Sequence, residues 1–348
     1  MAANPIRLNR WFFPLLAAAS WGISALVFAI PAITSGGEFS VLGTAVAGAA
    51  VYLVLSSLIT LIAQGPRVAL DRSMTTLVYC AFAIAVVPLI SLISTVVTLG
   101  LARFDGTFFS SSMRNVVGQG GGALHAIIGT LEITSLAALI SIPVGLLTAI
   151  YLVEYGRGRL AKSVTALVDV MTGIPSIVAG LFAFALFALF LGPGIRMGFA
   201  GAVALSILMT PVVVRSAEEM LRIVPMELRE ASFALGVPKW LTVLKVVLPT
   251  ASSGLITGVM IAIARVIGET APLLIVAGFT QSMNYNPFSE RMMTLPVFVY
   301  YSYASQGADT QAYIDRAWAG ALTLIVIVMA LNLGARILSR ITQPHTAR

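Results

Sequence analysis

Arg265 and Glu269 stand four residues apart in a stretch, 254–280, that carries no other charge. On a helix that spacing puts both side chains on one face. Counted from Ser253, Arg265 lies about twelve residues into the stretch, roughly 18 Å at about 1.5 Å per residue and close to the middle of a bilayer. A charge at that depth costs at least a few kcal/mol, so such residues face a polar interior and mark a site. A guanidinium offers a planar fork of donors to a tetrahedral oxyanion. Glu269 is suited either to hold that arginine or to accept a proton from a protonated oxyanion. The competing reading is an ion pair within one helix that only neutralises itself. Thr270 follows directly in the same run.

Two further groups carry possible chemistry. Gly173, Pro175 and Ser176 suggest a broken helix whose freed N–H groups could meet an anion; a simple kink is the alternative. The stretch 225–249 is punctuated twice. Pro225 suits a first helical turn, and Glu227 and Glu230 follow where carboxylates meet the positive end of the dipole. Gly236 supplies a left-handed stop, and Pro238 opens a second helix expected to run to Leu248 and stop before Pro249. The expected product is an amphipathic helix, a glycine turn and a second short helix outside the bilayer. A helix lying on the membrane surface fits the same pattern.

Other candidates are plainer. Asp169 is expected to pair with a loop base such as Lys162, and Glu132 to reach toward water from near the end of its span. With only His125 and His345 in the chain, a histidine metal site is not expected. The one cysteine, Cys80, excludes an intramolecular disulfide, and packing is its expected role.

Composition decides what holds these residues. Hydrophobic residues make up 58% of the chain and charged ones 10%, against about 25% charged in a soluble domain. A globule of this length would have to cover itself with polar groups it does not have. Spanning a bilayer takes about 20 apolar residues, and eight segments meet that need: 11–31, 43–63, 74–100, 126–152, 164–191, 198–214, 254–280 and 317–338. The fold class expected is therefore an all-α integral membrane protein with about eight transmembrane helices. The first apolar run is long for a signal peptide and lacks a small-x-small cleavage site, which favours an uncleaved anchor.

Orientation follows from the loops. Fifteen of the 21 Lys and Arg fall on the side shared by both termini and five on the other, with Arg265 inside a span. The positive-inside rule then places both termini in the cytoplasm of a multi-pass protein of the cytoplasmic (inner) membrane. The net charge of +7 is in this light a topology signal; it forms no clustered face for nucleic acid. The longest outer loops are 101–123, rich in glycine, and 281–316, rich in Tyr, Asn and Ser. The second is either a surface for an external partner or an ordinary connection.

Residues Glu230, Ala231 and Ser232, then Gly236, then Val246, Leu248 and Pro249 resemble the EAA loop of ABC importer permeases, with Ser for the second Ala and Val for Ile. In addition, ARVIGETAPLL from Ala264, HAIIGT from His125, YLVEYGRG from Tyr151, GIPSIVAGLF from Gly173 and PVVVRSAEEMLRIVP from Pro211 look like PstA-type phosphate permeases. The resemblance covers roughly 125–338. It implies a type I ABC importer permease fold and import of inorganic phosphate driven by ATP. The implied partners are a second, PstC-type permease, a PstB-type ATPase dimer that binds the ATP and Mg, and a PstS-type phosphate-binding protein outside the cell. The chain itself is then no enzyme and binds no cofactor. No G-x-x-x-x-G-K-[ST] occurs in it, so ATP hydrolysis must come from another polypeptide. On that resemblance the EAA residues contact the ATPase, while Arg265, Glu269, Thr270 and Ser176 line the substrate pathway. A carboxylate there would favour hydrogen-phosphate, which has a proton to give, over sulfate, which has none.

Two departures stand out. The spans within 1–73 lie outside the six-span permease core expected over 74–340, which is followed by a short tail, 341–348; and Glu132 falls where the family is usually apolar. Two rival functions are an ABC permease for another oxyanion, sulfate or molybdate, and a proton-coupled secondary anion transporter. The second should show inverted repeats with matching broken spans; none is visible, and it leaves 225–249 without a purpose.

Overall fold

The computed structural model describes residues 11–35, 40–307 and 309–342. Arg7, Arg10, His345 and Arg348, which entered the orientation and metal arguments, lie outside them. The described residues are all helix and loop. In chain order they form α1 (Phe12–Ser35), α2 (Val41–Gln64), α3 (Pro66–Gly100), α4 (Gly106–Ser110), α5 (Leu124–Ile150), α6 (Gly158–Thr172) and α7 (Ser176–Leu191). They continue with α8 (Gly198–Ile223), α9 (Met226–Ala234), α10 (Lys239–Thr242), α11 (Leu248–Val266), α12 (Ala271–Val276), α13 (Leu295–Ala304) and α14 (Thr310–Thr342). Among the described residues seven helical stretches are long and apolar enough to cross a membrane, or eight if the bent pair α6–α7 is one span.

The chain divides into two compact units, 1–94 and 95–348. In the first, α1 and α2 form an antiparallel hairpin in which Gly48 lets Trp21 approach closely. Arg72, early in α3, lays its guanidinium over the Phe13 ring, 3.6 Å from the centroid, while the Ser57 and Ser73 hydroxyls meet at 2.7 Å. Cys80 is a half-buried wall residue of an apolar groove.

In the second unit α5 packs along α8, and α11 to α13 close around them. Lipid tails are as apolar as leucine, so helices here gain mainly from close fit, and small residues at the seam permit it. Ala137, Ser141, Ala202 and Ser206 are such residues, with Ser141 donating to the Ser206 carbonyl at 3.2 Å. Gly129 lies against the Met293 carbonyl, and Thr130 accepts the Leu295 N–H at 2.7 Å, fixing the start of α13 to α5.

Three expectations need correction. The span 164–191 is two helices, α6 and α7, bent by 106° at Gly173–Pro175, which is a break and not a kink. The span 254–280 is also broken: α11 ends at Val266 and α12 begins at Ala271. Pro249 stops nothing. It occupies the first turn of α11, where a missing N–H is tolerated. Between α10 and α11 a π-helical turn, Val243–Val247, keeps the rod continuous from Lys239 to Val266.

Candidate functional site: a helix break with an open arginine and an anchored polar loop

Arg265 is the penultimate residue of α11, and Glu269 sits beyond the helix end in the 267–270 break. The shared helical face expected for them is therefore absent. Gly268 and Pro272 cause this: glycine holds helix poorly, and Pro272 has no N–H to return to the Gly268 carbonyl four residues back, against which its ring would clash. Arg265 is exposed and Glu269 half-buried. Among the described residues neither side chain has an ion-pair partner. The self-neutralising ion pair is thus not formed. Thr270 caps α12 from its backbone, and its carbonyl accepts the Leu274 N–H at 2.9 Å.

Ser176 opens α7 after the second break. One turn on, Gly180 abuts Pro272, so that a Cβ at Gly180 would lie 2.7 Å from the Pro272 Cα. That contact sets the first turns of α7 and α12 side by side and brings the two breaks together. Few of the first N–H groups of α7 remain for a ligand, since those of Val178 and Ala179 both go to the Pro175 carbonyl.

The stretch 225–249 has the two helices expected, in altered form. Gly236, with φ +76°, ends α9, and the Val237 N–H returns to the Ser232 carbonyl at 3.2 Å. The Ser232 and Thr242 hydroxyls meet at 2.8 Å and pin α9 to α10. Ser232 is therefore buried inside the loop, while Glu230, Ala231 and Gly236 are exposed and Leu248 and Pro249 belong to the α11 rod. The loop also turns large apolar groups outward, Leu235 at 84% and Trp240 at 61% exposed. An exposed apolar cluster of this kind marks a contact surface.

Several polar groups escape sequence reasoning. Arg229 and Glu154, 75 residues apart, form a buried ion pair, with the Arg229 Nη2 2.8 Å from the Glu154 Oε1. Asp169 pairs with Arg215 and not Lys162, and Arg215 also holds Glu218 at 2.7 Å. Glu132 is half-buried, and its Oε2 is enclosed without a hydrogen-bond partner among the described residues. Arg316 is fully buried and donates to the Gly118 and Gly120 carbonyls at 2.6 and 3.1 Å, which shapes the glycine loop. His125 is core, edge-on to Phe298 at 5.8 Å. Among the described residues no cluster of His, Cys, Asp or Glu could hold a metal ion.

This helical arrangement is the type I ABC importer permease fold. It matches a chain of a bacterial alginate ABC transporter with a TM-score of 0.54 at 17% identity, over 80% of this chain and 99% of that one. A chain of the MetNI methionine ABC transporter matches at 0.51 and 20% identity, over 64% and 96%. Residues 141–348 match the family described as binding-protein-dependent transport system inner membrane component. Phosphate transport system permease protein PstA 1 of Mycobacterium tuberculosis (strain CDC 1551 / Oshkosh) is 45% identical over 264 residues, 75% of this chain and 86% of its own length. Phosphate transport system permease protein PstA of Haemophilus influenzae (strain ATCC 51907 / DSM 11121 / KW20 / Rd) is 37% identical over 77% of this chain and 93% of its own. The chain belongs to the PstA-type permeases of this family. It is a multi-pass inner-membrane permease subunit of an ABC importer, and ATP hydrolysis is the work of a separate subunit.

Proposed function

We propose that this chain translocates inorganic phosphate across the cytoplasmic membrane as one of two homologous permeases of an ATP-driven importer. The observation that carries this reading is the 45% identity over 75% of the chain to a phosphate permease. The site chemistry agrees with it. Arg265 is exposed at a helix end with no ion-pair partner among the described residues, so this chain supplies one wall of a pathway and a PstC-type permease supplies the other. With its donors unused, the guanidinium can present two parallel N–H groups to a tetrahedral oxyanion. The six-span core over 74–340 supplies that wall, and the two spans within 1–73 are additional to it in sequence. Both termini face the cytoplasm, as does the loop over 215–249. Its exposed Glu230, Ala231, Gly236, Leu235 and Trp240 dock on a PstB-type ATPase dimer that binds ATP and Mg. A PstS-type protein delivers phosphate from outside.

Glu269, half-buried in the break and without an arginine partner among the described residues, is the proton acceptor that separates hydrogen-phosphate from sulfate. Glu269→Gln is expected to reduce the preference for phosphate over sulfate about tenfold, the size of one lost hydrogen bond to a charged group, about 1.5 kcal/mol. Competition of unlabelled sulfate against labelled phosphate uptake measures it, and an unchanged preference rejects the role. The function itself is tested in phosphate-starved cells lacking the gene. Wild type should restore phosphate uptake that survives collapse of the proton gradient and stops on ATP depletion. The reverse sensitivity would mark a secondary transporter, and restored sulfate or molybdate uptake another oxyanion.

A further inference from the structure

Arg229 lies on α9, the helix read above as docking on the ATPase, yet its guanidinium points to the ends of α5 and α8. Its Nε and Nη2 donate to the Glu154 Oε1 at 3.0 and 2.8 Å. Its Nη2 also donates to the Leu221 carbonyl at 2.9 Å, and its Nη1 to the Val224 carbonyl at 2.6 Å. Leu221 and Val224 close α8, where the last carbonyls lack helical partners. Glu154 belongs to the π-helical turn Tyr151–Tyr155 that ends α5. One side chain therefore ties α9 to the ends of both α5 and α8. The loop's second arm reaches the same residue: the Lys239 ammonium donates to the Glu154 carbonyl and lies 5.1 Å from the Tyr155 ring centroid. Both partners are enclosed, their side chains 9% and 5% exposed.

We propose that the Glu154–Arg229 pair is a positioning joint that makes the cytoplasmic loop and the α5–α8 core move as one body, so that breaking it uncouples ATP hydrolysis from transport. The proposal rests on the reading of 215–249 as the ATPase-docking loop. A buried ion pair is a poor source of stability, because desolvation cancels most of the attraction. What a guanidinium fork with several fixed acceptors supplies is direction. A loop held by apolar contacts alone could slide or roll under load; one held by four directed bonds to two helix ends cannot. The loop is also fused to α11 through the π turn, so the motion that the joint transmits reaches Arg265 along one unbroken rod.

The test uses the complete transporter, both permeases with the ATPase and binding protein, in proteoliposomes with inorganic phosphate as cargo. The readout is ATP hydrolysed per phosphate taken in, a ratio that a defect in folding or assembly leaves unchanged. Glu154→Gln and Arg229→Gln are expected to raise that ratio at least tenfold while the ATPase still copurifies. Arg229→Lys, which keeps the charge and loses the fork, should fall between. If the single variants are missing from the membrane because an orphan charge is left inside, the double variant Glu154→Met with Arg229→Met carries the test. It buries no charge, and it should assemble and still waste ATP. A wild-type ratio in variants that assemble, or uptake and hydrolysis falling together with lost ATPase, overturns the joint. A wild type that hydrolyses ATP but imports a different oxyanion overturns the phosphate reading instead, and the ratio is then read on that cargo.

Discussion

Cells carrying Arg265→Gln are expected to take up labelled phosphate at about a hundredth of the wild-type rate, with the chain present in the membrane at its normal level. Two charge-assisted hydrogen bonds to an oxyanion are at stake, each worth about 1.5–3 kcal/mol, and about 1.4 kcal/mol is a factor of ten. The normal level follows from exposure. Arg265 has no acidic partner among the described residues, so its removal orphans nothing inside this chain. Arg265→Lys keeps the charge without the fork and should fall between the two. Wild-type uptake by Arg265→Gln would make the residue structural and send the search to Ser176 and the α7 break. Loss of the chain from the membrane would show that Arg265 holds the fold.

The second large effect is on stability. A Cβ at Gly129 would lie 2.1 Å from the Met293 carbonyl oxygen and 2.9 Å from the Met292 Cγ. The first of these is backbone, so relief requires α5 to move away from 292–295. That motion would also stretch the 2.7 Å bond from the Leu295 N–H to the Thr130 Oγ1. Overpacking of this kind costs about 1–3 kcal/mol or more. Gly129→Ala should lower the apparent melting temperature of the purified chain by about 5–10 °C, on the usual scaling of about 2–4 °C per kcal/mol. Gly334→Ala is the control: nothing lies within 4 Å of its Cβ, and alanine favours a helix interior. Equal melting for both variants would show that the α5 contact yields freely.

The spans were legible because a bilayer imposes one length on every helix, and apolar runs of that length have few other uses. The α6–α7 break was half legible: Gly173 and Pro175 marked it, but sequence could not give its 106°. The α11–α12 break was missed because hydropathy stays high through Ile267 and Gly268, and apolar periodicity is blind to backbone that leaves the helix. Its signals were Gly268 and Pro272, four residues apart around Glu269. Pro249 misled for the opposite reason. Proline reads as a stop, yet a preceding π turn leaves it in a first turn, where it costs little. The Glu154–Arg229 pair had no sequence signal at all, since nothing local links positions 75 apart. Glu154 lay in a motif quoted for the family and Arg229 directly before another, but the motifs did not say that the two touch.

The π turn at Val243–Val247 has one more consequence. A π turn bonds i to i+5 and so carries about one residue more than an α turn, and one residue is about 100° of azimuth around a helix. The extra residue thus sets the compass bearing of Trp240 relative to Arg265, which lie at opposite ends of the same rod. Deleting any one residue of 243–247 would keep the rod unbroken and its composition nearly unchanged. It would swing the exposed tryptophan about a quarter turn away from its present heading. The two ends of this helix are phased to each other by a count of residues, and neither end can be re-aimed by altering its own side chains.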